Sequence, residues 1–227
     1  MPIMKRITLS LAAVLSLSVL AFNAFSTSAT PAAKPYHGDA KLGKEKASTF
    51  GCAGCHGGDG NSGTEANPKI AGQSSVYIYN QLALIKAGKR IGLPSMSSQV
   101  AKMSDNDMRD VALWFSNQKR GWLTADAASV KAAKNLYRVG DIKRGIPACI
   151  ACHGPAGKGM SAAGYPFIGG QFASYTATRL NMYAAGAVPA LTGNKQSETN
   201  VKQMGTIAAK LTAEEISALS SYISGLH

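Results

Sequence analysis

The sequence predicts an all-α protein built from two tandem helical units. Three observations carry this. First, the chain repeats itself. CAGCHGGDGNSG at 52–63 returns as CIACHGPAGKGM at 149–160. NPKIAGQSSVYIYNQL at 67–82 returns as YPFIGGQFASYTATRL at 165–180, and MSSQVAKMSDNDMRDVALWF at 96–115 returns as MGTIAAKLTAEEISALSSYI at 204–223. A period of about 100 residues is too long for a solenoid and is that of a small domain. Second, apolar residues within each repeat recur every three to four positions, the period of an amphipathic helix. Third, no stretch sustains the two-residue alternation of a strand; Val76-Tyr77-Ile78-Tyr79 begins one, but the helical spacing continues past it. The predicted boundaries are a leader at 1–29, a first unit at 30–120, a connection at 121–126 and a second unit at 127–227.

The leader comes first. Lys5 and Arg6 precede the apolar run Ile7 to Phe22, and the small-residue site Thr27-Ser28-Ala29 follows. This is the pattern of a secretory signal peptide cleaved near Ala29. The competing reading is an uncleaved anchor, but the run falls short of the ~20 residues of a span and is diluted by serine and threonine. In the first unit a weakly patterned helix covers Lys41 to Phe50, a middle helix carries Ile78, Leu82 and Ile85, and a closing helix carries Met108, Val111, Ala112 and Phe115. The second unit repeats the plan with Val130, Ala133, Leu136 and Tyr137, then Ile216, Leu219, Ser220 and Ile223. Both closing helices open on a capping box, Ser104 with Asp107 and Thr212 with Glu215. In the connection, Trp122 offers a large apolar surface and is expected to be buried at the junction of the units.

The chemistry lies in the cysteines. All four fall in two C-x-x-C-H motifs, Cys52, Cys55 and His56, then Cys149, Cys152 and His153. A zinc ribbon needs its two C-x-x-C pairs ~15–20 residues apart, a spacing the long interval between these motifs does not meet. A thioredoxin-type dithiol leaves the histidine behind each pair unexplained. Covalent c-type haem attachment uses every residue of the motif. Each thiol adds to one haem vinyl group, and the histidine supplies the proximal imidazole. Two haem c groups are therefore expected, and export fits them, because this attachment takes place outside the cytoplasm. Each buried haem also supplies core to a unit too small to build much of its own.

The sixth iron position separates electron transfer from ligand chemistry. The repeat sorts the candidate methionines. Met103 pairs with Leu211, Met108 with Ile216 and Met182 with Leu84, so these positions accept plain apolar bulk; Met160 falls opposite Gly63 in a loop. Met96 and Met204 pair with each other, and are the candidate distal ligands. Pro68 and Pro166 follow the proximal histidines by 12 and 13 residues. A carbonyl at or beside each could accept the histidine's other N–H; the plain alternative is a loop proline. His37 and His227 are expected in solvent, and the glycine-rich loops lack the arrangement of a phosphate loop.

The chain carries 24 basic and 12 acidic side chains. Without Lys5 and Arg6 of the leader the balance is 22 to 12, or +10, shared equally by the two units. Export and the absence of a basic cluster argue against nucleic acid. A cationic surface of this size suits acidic redox partners or an anionic membrane face, with solubility alone as the plain alternative.

Together, the paired haem motifs, the P-x-[IL]-x-G-Q segments at 68–73 and 166–171, the paired methionines and the ending SALSSYISGLH resemble the dihaem cytochrome c4 family over essentially all of the mature sequence. The resemblance implies two class I cytochrome c folds related by a pseudo-twofold axis. It implies axial pairs of His56 with Met96 and His153 with Met204. It also implies a periplasmic protein, often membrane-associated, passing single electrons from an upstream donor towards a terminal oxidase without substrate chemistry. One departure is local: Gly88 to Met96 is ten residues shorter than Gly186 to Met204. The alternative function is a dihaem redox enzyme, a peroxidase or thiosulfate-oxidising type, which would need one open or exchangeable iron; the paired methionines argue against it.

Overall fold

The computed structural model describes residues 36–227; the leader sequence lies outside the described residues. The first half contains α1 (Ala40–Thr49), α2 (Cys52–His56), α3 (Ser75–Lys86), α4 (Pro94–Val100) and α5 (Asp105–Ser116). The second contains α6 (Ala127–Arg138), α7 (Ile150–His153), α8 (Ala173–Ala184), α9 (Lys195–Ala208) and α10 (Ala213–Ser224). Among the described residues the only β pairing is two isolated bridges, Asp141 with Ile146 and Met160 with Tyr165.

In each half the opening helix packs on the closing helix, α1 on α5 and α6 on α10, while the middle helix packs against the closing one from another side. The closing helices begin where both halves of a capping box are formed. Ser104 and Thr212 each accept the backbone N–H three residues on, and Asp107 and Glu215 reach back to the cap's own N–H. The apolar face this start aims inward is buried. Met103, Met108, Val111, Ala112 and Phe115 lie in the first core with Ile78, Leu82 and Ile85. Tyr137, Leu219, Tyr222 and Ile223 build the second. Close approach of α1 to α5 requires Gly43, where a Cβ would fall 2.1 Å from the Asp110 carbonyl oxygen.

Two helices carry the candidate methionines, and apolar period alone did not predict them. α4 starts with Pro94 in its first turn and then runs through Ser95, Ser97, Ser98 and Gln99. α9 starts on an Asn194 cap that accepts from Ser197 N, and is polar over most of its surface. α4 is started by its proline and α9 by its cap, and each turns one edge inward.

The halves face each other with twofold logic. The Gln73 side-chain amide hydrogen-bonds both backbone groups of Phe167: Nε2 donates to its carbonyl at 2.8 Å and Oε1 accepts its N–H at 2.9 Å. Gln171 does the same to Lys69, at 2.8 and 3.0 Å. Each pair, Gln73 with Gln171 and Lys69 with Phe167, is separated by the same 98 positions. A contact that recurs with its partners exchanged is the signature of a pseudo-twofold axis. Gly72 and Gly170 turn the chain just before each glutamine at φ 65° and 66°, left-handed backbone that favours glycine.

The connection differs from the sequence expectation. Trp122 is 43% exposed, and lies against Phe167 and His227 with ring centroids 6.4 and 5.7 Å away. The buried residue is Arg120, 3% exposed. Its Nε donates to the Ala71 carbonyl, its Nη1 donates to those of Phe167 and Gly169, and its guanidinium lies 4.0 Å from the Phe167 ring centre. Three carbonyls converge at the junction; a guanidinium has donors enough for all of them, whereas an indole has a single N–H.

Candidate haem centres

Each C-x-x-C-H motif folds as a single helical turn. α2 spans Cys52–His56 after Gly51, whose φ of 69° starts the turn; α7 spans Ile150–His153 with Cys149 as its cap. Positions three and four apart share a helix face, so one turn sets both thiols and the imidazole along one edge. Cys55 is exposed, and Cys52, Cys149 and Cys152 are half-buried. All four cysteines are free of disulfides. Burial pushes the Cys52 thiol up and takes Cys149 to about 11, the reverse of the lowered thiol that a reactive dithiol needs. Among the described residues no group of three or more His, Cys, Asp or Glu gathers to hold a metal ion.

Both histidines are aimed by a carbonyl. His56 Nδ1 lies 2.9 Å from Pro68 O, and His153 Nδ1 lies 3.0 Å from Pro166 O. A carbonyl only accepts, so Nδ1 carries the proton and donates, leaving Nε2 with a free lone pair. Burial lowers both imidazoles below the ordinary histidine value, against the raising effect of the carbonyl bond; the positive Arg90 lowers His56 further. Both are therefore held neutral at neutral pH, the form that ligates a metal.

A cavity of about 730 Å³ runs between the two halves. Cys52, His56 and Met96 line it from one side, and Cys149, Cys152, His153 and Met204 from the other, with Pro68 and Pro166 between. The remaining lining is mostly apolar, including Leu82, Phe115, Ile168 and Leu180. Met96 packs against the first core. Met103 and Met108 are buried at 1% and 4% exposure inside it, and Met160 is exposed at 53%. His37 is exposed, and so is His227, whose ring lies against Trp122.

The cavity lining tests the fit to haem. It contains Lys69, Arg90 and Arg179 and no aspartate or glutamate. Arg179 is 8% exposed, and its Nη2 is buried with no hydrogen-bond partner. Its Nη1 reaches only the Met182 sulfur, at 3.6 Å; a buried guanidinium nitrogen without an acceptor is costly, and a carboxylate in the cavity would satisfy it. Haem brings two carboxylates, an apolar ring and vinyl groups for thiols, so the residues present fit it. Tyr77, Tyr175 and Tyr183 surround the same place; burial pushes the Tyr77 and Tyr183 hydroxyls up, which keeps them neutral donors.

Sequence reasoning overlooked Arg90, Arg120, Arg179 and the glutamines as functional side chains. The repeat held part of the signal, since Gly72-Gln73 and Tyr77 recur as Gly170-Gln171 and Tyr175. The arginines do not recur: Arg179 falls opposite Gln81, and Arg90 opposite Val188.

Comparison with known proteins agrees with this arrangement. The cytochrome c family pattern matches twice, at residues 40–120 and 130–227. Cytochrome c4 of Pseudomonas aeruginosa is 42% identical over 190 residues, 84% of this chain and 90% of that one. The crystal structure of reduced recombinant cytochrome c4 from Pseudomonas stutzeri superposes with a TM-score of 0.74 at 41% identity, covering 84% of this chain and 100% of that one. A thiosulfate dehydrogenase electron acceptor of Stutzerimonas stutzeri is 32% identical over 180 residues, 77% of this chain and 78% of that one. Two cytochrome c domains in a helical chain carry two covalently bound haem c groups and exchange electrons with redox protein partners. The chain belongs to the cytochrome c family, as a dihaem electron-transfer protein of the cytochrome c4 type.

Proposed function

We propose that this cytochrome carries single electrons in the periplasm between respiratory-chain partners, towards a terminal oxidase, with no substrate chemistry of its own. Cys52 and Cys55 hold one haem and Cys149 and Cys152 the other. His56 with Met96 and His153 with Met204 are the axial pairs. The domains run from 30 to 120 and from 127 to 227, joined by 121–126. The carrying observation is that each half presents one carbonyl-oriented imidazole and one methionine to the same cavity.

When bound, each haem supplies a one-electron ferric–ferrous couple at its iron. The chain's residues do the rest. The carbonyls of Pro68 and Pro166 fix the tautomer and orientation of the imidazoles. Met96 and Met204 would be the second protein ligand of each haem, a ligand type that raises the potential and keeps small molecules from the iron. The apolar lining excludes water, and Arg90 and Arg179 would offer their charge to the haem carboxylates, which would otherwise be buried unpaired.

A net charge of +10 on the exported chain supports partners with acidic docking faces and peripheral association with an anionic membrane surface. Among the described residues no helix is long and apolar enough to cross a membrane. The likeness to a protein named as the electron acceptor of thiosulfate dehydrogenase supports a second reading of the upstream partner, a sulfur-oxidising enzyme.

Intact mass and carbon monoxide titration test the proposal. The expected result is two haems per chain and a ferrous protein inert to carbon monoxide at neutral pH. Ready binding would mean an open iron and would favour a dihaem redox enzyme.

A further inference from the structure

The two glutamine clamps and the two histidine bonds meet on the same peptide groups. The Pro68–Lys69 peptide accepts from His56 Nδ1 at its carbonyl, 2.9 Å, and donates its N–H to Gln171 Oε1, 3.0 Å. The Pro166–Phe167 peptide accepts from His153 Nδ1 at 3.0 Å and donates to Gln73 Oε1 at 2.9 Å. Each peptide is therefore held at both ends: by its own domain's histidine and by the other domain's glutamine.

A peptide group polarises as a unit. An acceptor on its N–H shifts electron density to its carbonyl oxygen and makes that oxygen a better acceptor, and hydrogen bonds in such a chain strengthen one another. A stronger acceptor at Nδ1–H makes the imidazole more electron-donating at Nε2 and favours the oxidised metal. Lys69, Gln73 and Gln171 are all buried, at 7%, 7% and 6% exposure, and Phe167 is half-buried, so water is kept from the Gln171–Lys69 bonds and partly from the Gln73–Phe167 bonds. Gln73 and Gln171 are also locked at both amide atoms, because Nε2 donates to the same residue's carbonyl.

We propose that Gln171 lowers the reduction potential of the haem in the first domain, and Gln73 that of the haem in the second, each acting across the domain interface through one peptide group. Both are positioning residues, and the potential of each haem thereby depends on the domains being docked. This rests on the assignment of His56 and His153 as axial ligands.

The test uses the full dihaem protein with Gln171→Leu and Gln73→Leu. Redox titration is followed by the hyperfine-shifted ring resonances of the two histidines in NMR. Gln171→Leu is expected to raise the midpoint of the His56 haem by the equivalent of a roughly threefold to tenfold change in its one-electron equilibrium, the scale of one ordinary hydrogen bond. His56 Nδ1–H should also exchange faster with solvent, with the His153 haem moving less. Gln73→Leu should give the mirror image. Gln171→Glu keeps an oxygen for the Lys69 N–H in either protonation state, and should restore slow exchange at His56. A change confined to the mutated domain, an equal change at both haems, or no change overturns the proposal. If neither histidine shows hyperfine shifts in the parent, the ligand assignment itself fails and the proposal falls with it; shifts that are present but unmoved by the variants sink the proposal alone.

Discussion

In the first domain the opening and closing helices meet across a buried carboxylate, while in the second the same two helices meet across a pair of aromatic rings. Asp110 on α5 is 0% exposed and accepts from the Tyr36 hydroxyl, the Asp39 N–H and the Lys46 ammonium. Lys46 also pairs with Asp107. In the second domain the Tyr137 and Tyr222 rings lie 5.4 Å apart, and the Tyr137 hydroxyl donates to the Gly154 carbonyl beside the haem motif. The charged contacts there, Arg144 with Asp141 and Glu215, stay at the surface. One helix pair can thus be fixed by a directional polar knot that fails when its carboxylate is protonated, or by apolar area that acid does not touch. The cavity shows the same divergence. The second domain carries its cation on the middle helix as Arg179, whereas the first has Gln81 there and brings in Arg90, whose Nη1 donates to Gln81 Oε1 at 2.9 Å. A charge at the cavity is common to both halves, but the position that supplies it is not.

The proposed ligand methionines bear on this comparison with the largest expected effect. Met96 stands on a helix of 7 residues and Met204 on one of 14. Replacing either with alanine should remove methionine ligation in that domain only. Its potential should fall on the order of tenths of a volt, a fraction of the roughly 0.8 V that axial ligand identity spans. Met103→Ala, inside the first core, should instead cost about 2–5 kcal/mol of stability and leave both ligand sets intact. Spectra and redox titration of the three variants check this; a Met103 variant that loses ligation would show that the repeat pairing chose the wrong methionine.

Acid should separate the domains less violently. Burial pushes the Asp110 carboxyl up, but Lys46, Tyr36 and the Asp39 amide outweigh it and hold it low; Lys46 and Ser104 bring Asp107 down to about 2. Carboxylates depressed in the folded state contribute stability that is fully present above the ordinary value of 3.8 and is lost as pH falls towards about 2. Asp141 and Glu215 of the second domain are also held low by Arg144, but at the exposed surface, where solvent screens the pair. Hydrogen exchange should therefore show the α1–α5 joint opening before the α6–α10 joint across that window. Asp110→Asn should cost about 2–3 kcal/mol at neutral pH, the scale of a hydrogen bond to a charged group, and the difference from the parent should shrink as pH approaches 2. A difference that stays constant with pH would mean Asp110 acts by shape rather than charge.

What the sequence disclosed and what it withheld follow the range of the interactions. The capping boxes of α5 and α10 and the buried faces they start are local, written within one or two turns, and the sequence displays them directly. Repeat pairing likewise marked Met103 and Met108 as positions of apolar bulk, and both are buried. The peptides that Gln73 and Gln171 grip lie 94 and 102 residues away, and no periodicity reports a contact of that range. Charge misleads in the same way. Arg120, the last residue of the first unit, carries a charge that composition alone places in solvent, yet it is buried where three carbonyls converge on it; burial pulls it down to about 10, still charged at neutral pH. α4 and α9 stayed unread because a first-turn proline in one, an asparagine cap in the other and a single inward edge set them, with no apolar stripe to announce them.

Trp122 and Arg120, two residues apart, reduce the question of how the halves are joined to a single contrast. Apolar surface alone puts the tryptophan inside and the arginine outside; the structure reverses them. Trp122 covers the edge of the second domain, its Cε3 within 3.3 Å of where a Cβ on Gly170 would sit, with Phe167 and His227 on its flanks. Nearly half of it already meets water, so its removal opens no closed cavity, and the ~3–5 kcal/mol of a buried tryptophan does not apply. The loss should be close to that of its aromatic contacts, about 1 kcal/mol, a fall of ~2–4 °C in Tm for a chain of this size. Trp122→Ala should therefore leave the Gln73 and Gln171 clamps, both ligand sets and the rate of electron exchange between the haems as in the parent. Calorimetry and transient redox kinetics on the same variant decide the matter. A loss above about 3 kcal/mol together with slowed internal exchange would make the tryptophan the pin of the interface and demote Arg120 to a filler of carbonyls.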